Sequence, residues 1–144
     1  MAVGNVSMER VREAAPLNSA CFVCGHENPG GLRLEFQMGK KCASARWTTR
    51  VGWESFQGII HGGVISTVMD EAMSKAIISE GYEALTAELR IRFRMKVRVD
   101  EELSVQGWVV SVQKRKILAE ATLTTEDGTE KAHAWATFLA VRNS

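Results

Sequence analysis

Two features of the 144-residue chain could do chemistry together: the triplet His61-Gly62-Gly63 at the start of one apolar-periodic segment and the acid Asp70 within it. Glycines at the first positions of a helix leave backbone N–H groups bare at the positive end of the helix dipole. With no Cβ in the way, a carbonyl oxygen can approach them. Such donors form an oxyanion site, each worth roughly 3–4 kcal/mol in acyl transfer. The plain alternative is that Gly62 and Gly63 only allow close helix packing. Asp70 supplies a nucleophile or a general base, or else a polar residue on an exposed helix flank. Its neighbour Glu71 points ~100° away around the helix.

Asp70 lies about 11–12 Å beyond the glycines at the rise of an α-helix. One substrate carbonyl cannot touch both groups of a single helix. Two antiparallel helices from two subunits remove the conflict, so this chemistry calls for a dimer.

Cys21-x-x-Cys24, His26 and Cys42 offer four soft ligands, a Cys3His zinc set in type. A second ligand pair is missing, and the strand-loop-helix setting of a redox pair is missing too. The cysteines therefore read as small buried residues fixing a loop, with no metal assigned. Arg90, Arg92, Arg94, Lys96 and Arg98 recur with the period of a strand and share one face. They read mainly as a solvated face balanced by Glu88 and Glu120. Nucleic acid would want aromatics among the charges, and Phe93 falls on the opposite face, expected to be buried.

The elements that must position these residues follow from the pattern. Residues 1–20 read as a mobile lead-in with a helical piece over Met8–Ala15, and 21–144 as one domain. Cys21–Gly31 is rich in Gly, Asn and Pro and reads as a structured loop. Leu32–Phe36 alternates like a half-buried strand, and Cys42–Val51 is a second. From Val64 to Ile77 the apolar residues form a doubled i, i+4 series, which predicts a long helix with a wide buried stripe, closed by Gly81. Leu85–Val99, Leu103–Val112, Ile117–Thr124 and Lys131–Val141 read as strands separated by turn residues. One apolar helix followed by an antiparallel meander predicts an α+β fold, a curved sheet of five to six strands around a central helix.

Composition fits that picture. Hydrophobic residues make up 45% and charged residues 24%, as in ordinary globular domains, and the net charge of +1 sets up no global field for nucleic acid or an acidic membrane. The first residues lack the pattern of a secretory signal, and no stretch is long and apolar enough to span a bilayer. Three cysteines suit no closed disulfide framework. The expectation is a cytoplasmic protein with reduced thiols.

The segment Phe56 to Ala72, with His61-Gly62-Gly63 and an acid nine positions after the histidine, resembles the signature of the hotdog-fold acyl-CoA thioesterases, nearest the phenylacetate-pathway group. Cys21-Phe22-Val23-Cys24-Gly25 with Asn28-Pro29 and Gly31-Leu32, and Leu85-Thr86-Ala87-Glu88-Leu89 with Phe93, extend the likeness to the C-terminus. The resemblance implies an acyl-CoA hydrolase working without a cofactor, as a homodimer or a dimer of dimers with sites at the subunit interface. It implies Asp70 as the acid, the Gly62 amide as oxyanion donor, and His61 as a support for the loop and helix start. His26 and His133 match no catalytic position. Thr86 matches a position where relatives carry Ser or Thr near the attacking water. Relatives often place Asn or Gln where this chain has Ser55; Gln57 could substitute if the loop is shifted. Gly63 would line the substrate site, and Arg90 and Arg92 would meet the phosphates of coenzyme A. Trp53, Phe56, Met69 and Met73 would set pocket length, which favours a medium-chain or aromatic acyl group. Two rival classes remain: a hotdog dehydratase or hydratase, and a non-catalytic acyl-CoA-binding module, the latter favoured by Ser55.

Overall fold

The computed structural model describes residues 19–141. The expected helical piece over Met8–Ala15 and most of the lead-in lie outside the described residues. No helix among the described residues is long and apolar enough to cross a membrane.

The doubled apolar series does fold as one helix, α1, over Gly62–Ser79. Its buried stripe is Ile65, Val68, Met69, Ala72, Met73, Ala76 and Ile77, the residues that recur every three or four positions and so share one face. His61 is the N-cap, in extended backbone conformation. Gly81, at φ +88°, turns the chain out of the helix where a side chain would be strained.

Six strands surround it: β1 (Gln37–Gly39), β2 (Cys42–Thr48), β3 (Ala84–Phe93), β4 (Glu102–Gln113), β5 (Lys116–Thr125) and β6 (Glu130–Ala140). They form one antiparallel sheet in the order β1-β2-β4-β5-β6-β3. Alternate residues of β5 and β6, among them Ile117, Ala119, Ala121, Leu123, Ala134 and Phe138, are buried toward the helix. The helix packs tightly on Gly107 of β4, where an added Cβ would stand 2.5 Å from the Ala72 backbone. That pairing of two small residues lets the helix sink onto the sheet. Register shifts at Thr86/Glu88, Val109/Ser111 and Leu123/Thr124 mark bulges, which bend strands and increase twist. One long helix laid across this curved sheet is the hotdog fold, as the sequence predicts.

Three expectations need correction. Leu32–Phe36 is not a strand: Arg33 has φ +54°, and the Leu32 and Leu34 amides donate to the Phe22 and Val23 carbonyls instead of to a neighbouring strand. Its alternation reports burial of Leu32 and Leu34 under the loop, and pairing begins only at Gln37. The last four strands do not form one meander, because β3 lies at the far edge beside β6 and only β4, β5 and β6 follow in order. Finally, β3 ends at Phe93, where the Arg94 and Met95 amides both turn to the Lys131 carbonyl. Within one chain Phe93 and Met95 are each 51% exposed rather than buried. The helix covers β2 and β4 and leaves the inner face of β3 partly bare.

Candidate active site

The start of α1 is organised by His61. Its Nδ1 accepts the Gly63 N–H at 2.8 Å, capping the first turn. The His61 carbonyl accepts from the Val64 and Ile65 amides. The Gly62 N–H has no hydrogen-bond partner among the described residues. A Cβ on Gly62 would meet the Phe93 ring at 3.5 Å, so the bare amide sits beside the exposed end of β3.

The loop ahead of this helix is held by Glu54. Its carboxylate accepts from the Gly52 amide at 3.2 Å and the Gly58 amide at 2.8 Å, and these bonds lower its pKa from the ordinary value. Glu54 carries no motif that marks it in the sequence. Its signal was the pair of flanking glycines, both at positive φ, which free two amides to converge on one acid. Ser55, Phe56 and Gln57 form the exposed tip between them.

Two turns along α1, Asp70 is half-buried against β3. The Thr86 hydroxyl donates to Asp70 Oδ1 at 2.7 Å. Burial raises the Asp70 pKa, the Thr86 bond pulls it down in part, and the Glu71 charge adds to the rise. Asp70, Thr86 and the Gly62 amide thus lie along the same bare flank between α1 and β3. Asp70 and Gly62 of one chain remain about 12 Å apart along the helix.

Arg90 and Arg92 are elsewhere. Arg90 stacks on Trp135, 4.6 Å from the ring centroid, and Arg92 stands opposite His133 in register. Both lie on the outer face of the sheet, which separates them from α1 and Asp70. There His133 sits 2.8 Å from Glu120 and 3.2 Å from Glu130, packed on Trp135, while Arg94 pairs with Glu130 at 2.6 Å. Among the described residues of the basic row only Arg94 meets an acid, and that acid is Glu130; Glu120 pairs with His133, Glu88 holds none of the row, and β3 ends before Lys96 and Arg98, so the expected balance by Glu88 and Glu120 is corrected.

A groove of about 780 Å³ runs beside β2, lined in part by Arg33, Arg46, Trp47, Arg50 and Trp53. Arg50 stacks on Trp53 at 4.5 Å. Asp70 is not part of its lining.

The three cysteines are partly buried rather than buried, and they do not form the Cys3His set that their types would allow. Cys21 and Cys24 gather around Glu71, all three ligand atoms lying within 4.8 Å, without His26 or Cys42. Burial and the Glu71 carboxylate push the Cys24 thiol up to about 12. The involvement of Glu71 could not be read from spacing, since it stands 50 residues from Cys21.

The fold and the helix-start geometry define a hotdog protein with a carboxylate on its central helix. A profile of the Thioesterase superfamily matches residues 57–132, so the chain belongs to that family and is by class a thioester hydrolase. A protein named as an esterase, SSO1253 of Saccharolobus solfataricus, is 29% identical over 117 residues, covering 80% of this chain and 70% of its own. The mouse acyl-coenzyme A thioesterase THEM4 is 30% identical over 70 residues, 49% of this chain but only 30% of THEM4. Among solved structures, the thioesterase superfamily protein RHA08564 superposes with a TM-score of 0.80 at 24% identity, over 84% of this chain and 60% of that one. The Streptococcus mutans protein smu.793, bound to acetyl CoA, gives a TM-score of 0.74 at 21% identity over 81% of this chain and 94% of its own.

Proposed function

We propose that the chain hydrolyses an acyl-CoA thioester to the free acid and coenzyme A, at a site shared by two subunits. The observation that carries this reading is the pairing of a bare Gly62 amide at the helix start with a half-buried, Thr86-bonded Asp70 on the same flank. In the proposed dimer, the Gly62 amide of one subunit holds the thioester oxygen and Asp70 of the other attacks the carbonyl or activates water. The tetrahedral intermediate then collapses, the C–S bond breaks and the thiolate leaves with the proton that water gave to Asp70; where Asp70 itself attacked, water then cleaves the resulting anhydride, releasing the free acid and restoring the carboxylate. Thr86 positions the carboxylate. The Gly63 amide is already engaged by His61, so Gly62 keeps the free donor, and His61 acts by capping the helix.

The bare inner face of β3 supports the dimer. Leu89 and Phe93, with Met95 just past the strand end, are 37–51% exposed in a single chain, an apolar strip that covering by a second copy would stabilise. The mouse relative named for acyl-coenzyme A and the acetyl CoA held by smu.793 support the choice of thioester. Ser55 and Gln57, at the exposed loop tip, would face the incoming acyl group. Arg90 and Arg92 remain candidates for the nucleotide end of CoA only if a second subunit carries it across the outer face.

The test is a panel of acyl-CoAs with medium-chain and aromatic groups, read by a free-thiol dye. The proposal expects thiol release by the wild-type chain and loss of it in Asp70→Asn. Tight acyl-CoA binding with no thiol release from any substrate would instead support a binding module.

A further inference from the structure

The Cys21–Gly25 loop has a feature that hydrolysis does not use. The chain there closes into a turn in which the Gly25 amide donates to the Cys21 carbonyl at 2.9 Å. Gly25 has no room for a side chain: a Cβ would stand 2.2 Å from the Cys21 nitrogen and 2.5 Å from the Ser19 carbonyl oxygen. The tight turn holds Cys21 and Cys24 with their sulfurs within 4.8 Å of each other. Backbone bonds from Leu32 to Phe22 and from Leu34 to Val23, each 2.9 Å, hold that turn in place. From the other side α1 presents Glu71. Cys21 Sγ and Glu71 Oε2 are 3.4 Å apart, and the two sulfurs and a carboxylate oxygen all lie within 4.8 Å of one another.

We propose that Cys21, Cys24 and Glu71 form a zinc(II) site that ties the N-terminal loop to the central helix. Zinc takes thiolate sulfur at about 2.3 Å and carboxylate oxygen at about 2.0–2.2 Å in tetrahedral geometry. The sulfur–oxygen edge of such a tetrahedron is then about 3.6 Å, close to the separation already present. Two thiolates with a carboxylate select a soft or borderline divalent ion over magnesium or calcium. The fourth position falls to water, since all three residues are only partly buried. Two thiolates and one carboxylate carry three negative charges, of which zinc neutralises two. Binding releases the two thiol protons to solvent and involves no electron transfer. The bond set would clamp the loop onto α1 at the residue next to Asp70.

The test uses the full chain without an affinity tag, purified under reductant and titrated with cobalt(II) and then zinc(II). The expected result is one cobalt per chain, with thiolate-to-cobalt charge-transfer bands that zinc abolishes. Cys24→Ser should remove the bands. Glu71→Gln should keep weak bands with affinity reduced by more than the roughly 10–100-fold that an outer partner is worth. Cys42→Ser and His26→Ala should leave binding unchanged. Mass spectrometry and circular dichroism on each variant separate lost binding from lost fold. Absence of cobalt binding by the reduced wild-type chain, a Cys21–Cys24 disulfide that persists under reductant, or unchanged affinity in Glu71→Gln would each overturn the proposal. Metal binding is read without thioester hydrolysis, so failure here leaves the hydrolytic proposal standing, and the reverse.

Discussion

Thr86 and Asp70, on the edge strand and the central helix, are joined by a 2.7 Å hydrogen bond from the hydroxyl to the carboxylate. The bulge between Thr86 and Glu88 shifts the register of β3 immediately after this contact. A carboxylate drawn out of water by the helix flank is thereby aimed by a neutral donor that leaves its second oxygen free. Thr86→Val should lower kcat by about ten- to hundred-fold, matching the roughly 1.5–3 kcal/mol of a hydrogen bond to a charged group. Thr86→Ser should restore most of it. Equal loss in Thr86→Val and Thr86→Ser, or none in either, would argue against a positioning role.

Asp70→Asn keeps the shape of the side chain and its acceptor for Thr86 while removing the charge. Turnover should fall by orders of magnitude with little change in melting temperature. Steady-state kinetics beside thermal unfolding check both halves of that statement. A hydrolase that keeps near-normal kcat in Asp70→Asn uses some other base.

Gly62 permits an unusual deletion of a single backbone donor. Proline is accepted at the first helical position, and it requires the preceding residue to be extended. His61 already is, with φ −61° and ψ 132°. Gly62→Pro should therefore fold normally yet lose about 10²–10³ in kcat, the measured weight of an oxyanion donor. Gly62→Ala, which keeps the N–H, should lose less. A fully active Gly62→Pro enzyme would place the oxyanion site elsewhere.

Leu89, 37% exposed on the inner face of β3, tests the shared interface. On a lone subunit a charge there costs little; between two subunits it is buried without a partner. Leu89→Glu should shift the protein to monomer in size-exclusion chromatography with light scattering and abolish turnover together. An active monomer would contradict the shared site.

The β5–β6 turn carries a separate pH dependence. Asp127 accepts bonds from the Thr125 hydroxyl and the Thr129 amide, which hold its carboxyl down at about 2. A depressed carboxyl stabilises the fold above its unfolded pKa, and that contribution disappears as pH falls through the folded value. The melting-temperature gap between wild type and Asp127→Ala should be full near neutrality and shrink as the pH drops from about 4 toward 2. A gap that widens on acidification would reverse the assignment.

The helix, its cap and the strand succession could be read from the chain because each rests on local periodicity or on a glycine. What escaped depends on tertiary neighbours. Arg33 bends the chain out of the strand that Leu32 and Leu34 imitate, since alternation reports burial on one side and not pairing. The alternation of Phe93 and Met95 predicted burial, and a single chain leaves them bare. Glu71 looked like a mere neighbour of Asp70 because its meeting with Cys21 and Cys24 requires the folded loop. Glu54 was hidden for the same reason, its two amide partners being assembled only by the turn.

In the proposed site Asp70 and Gly62 come from different subunits, and mixed dimers test this most directly. Asp70→Asn and Gly62→Pro chains, each inactive alone, should be co-expressed with distinct tags and the mixed dimer isolated. One of its two sites would combine an intact Asp70 with an intact Gly62, so thiol release should return to about half the wild-type rate per dimer. A mixed dimer as inactive as its parents would show that both groups act within one chain, and the shared site would be wrong.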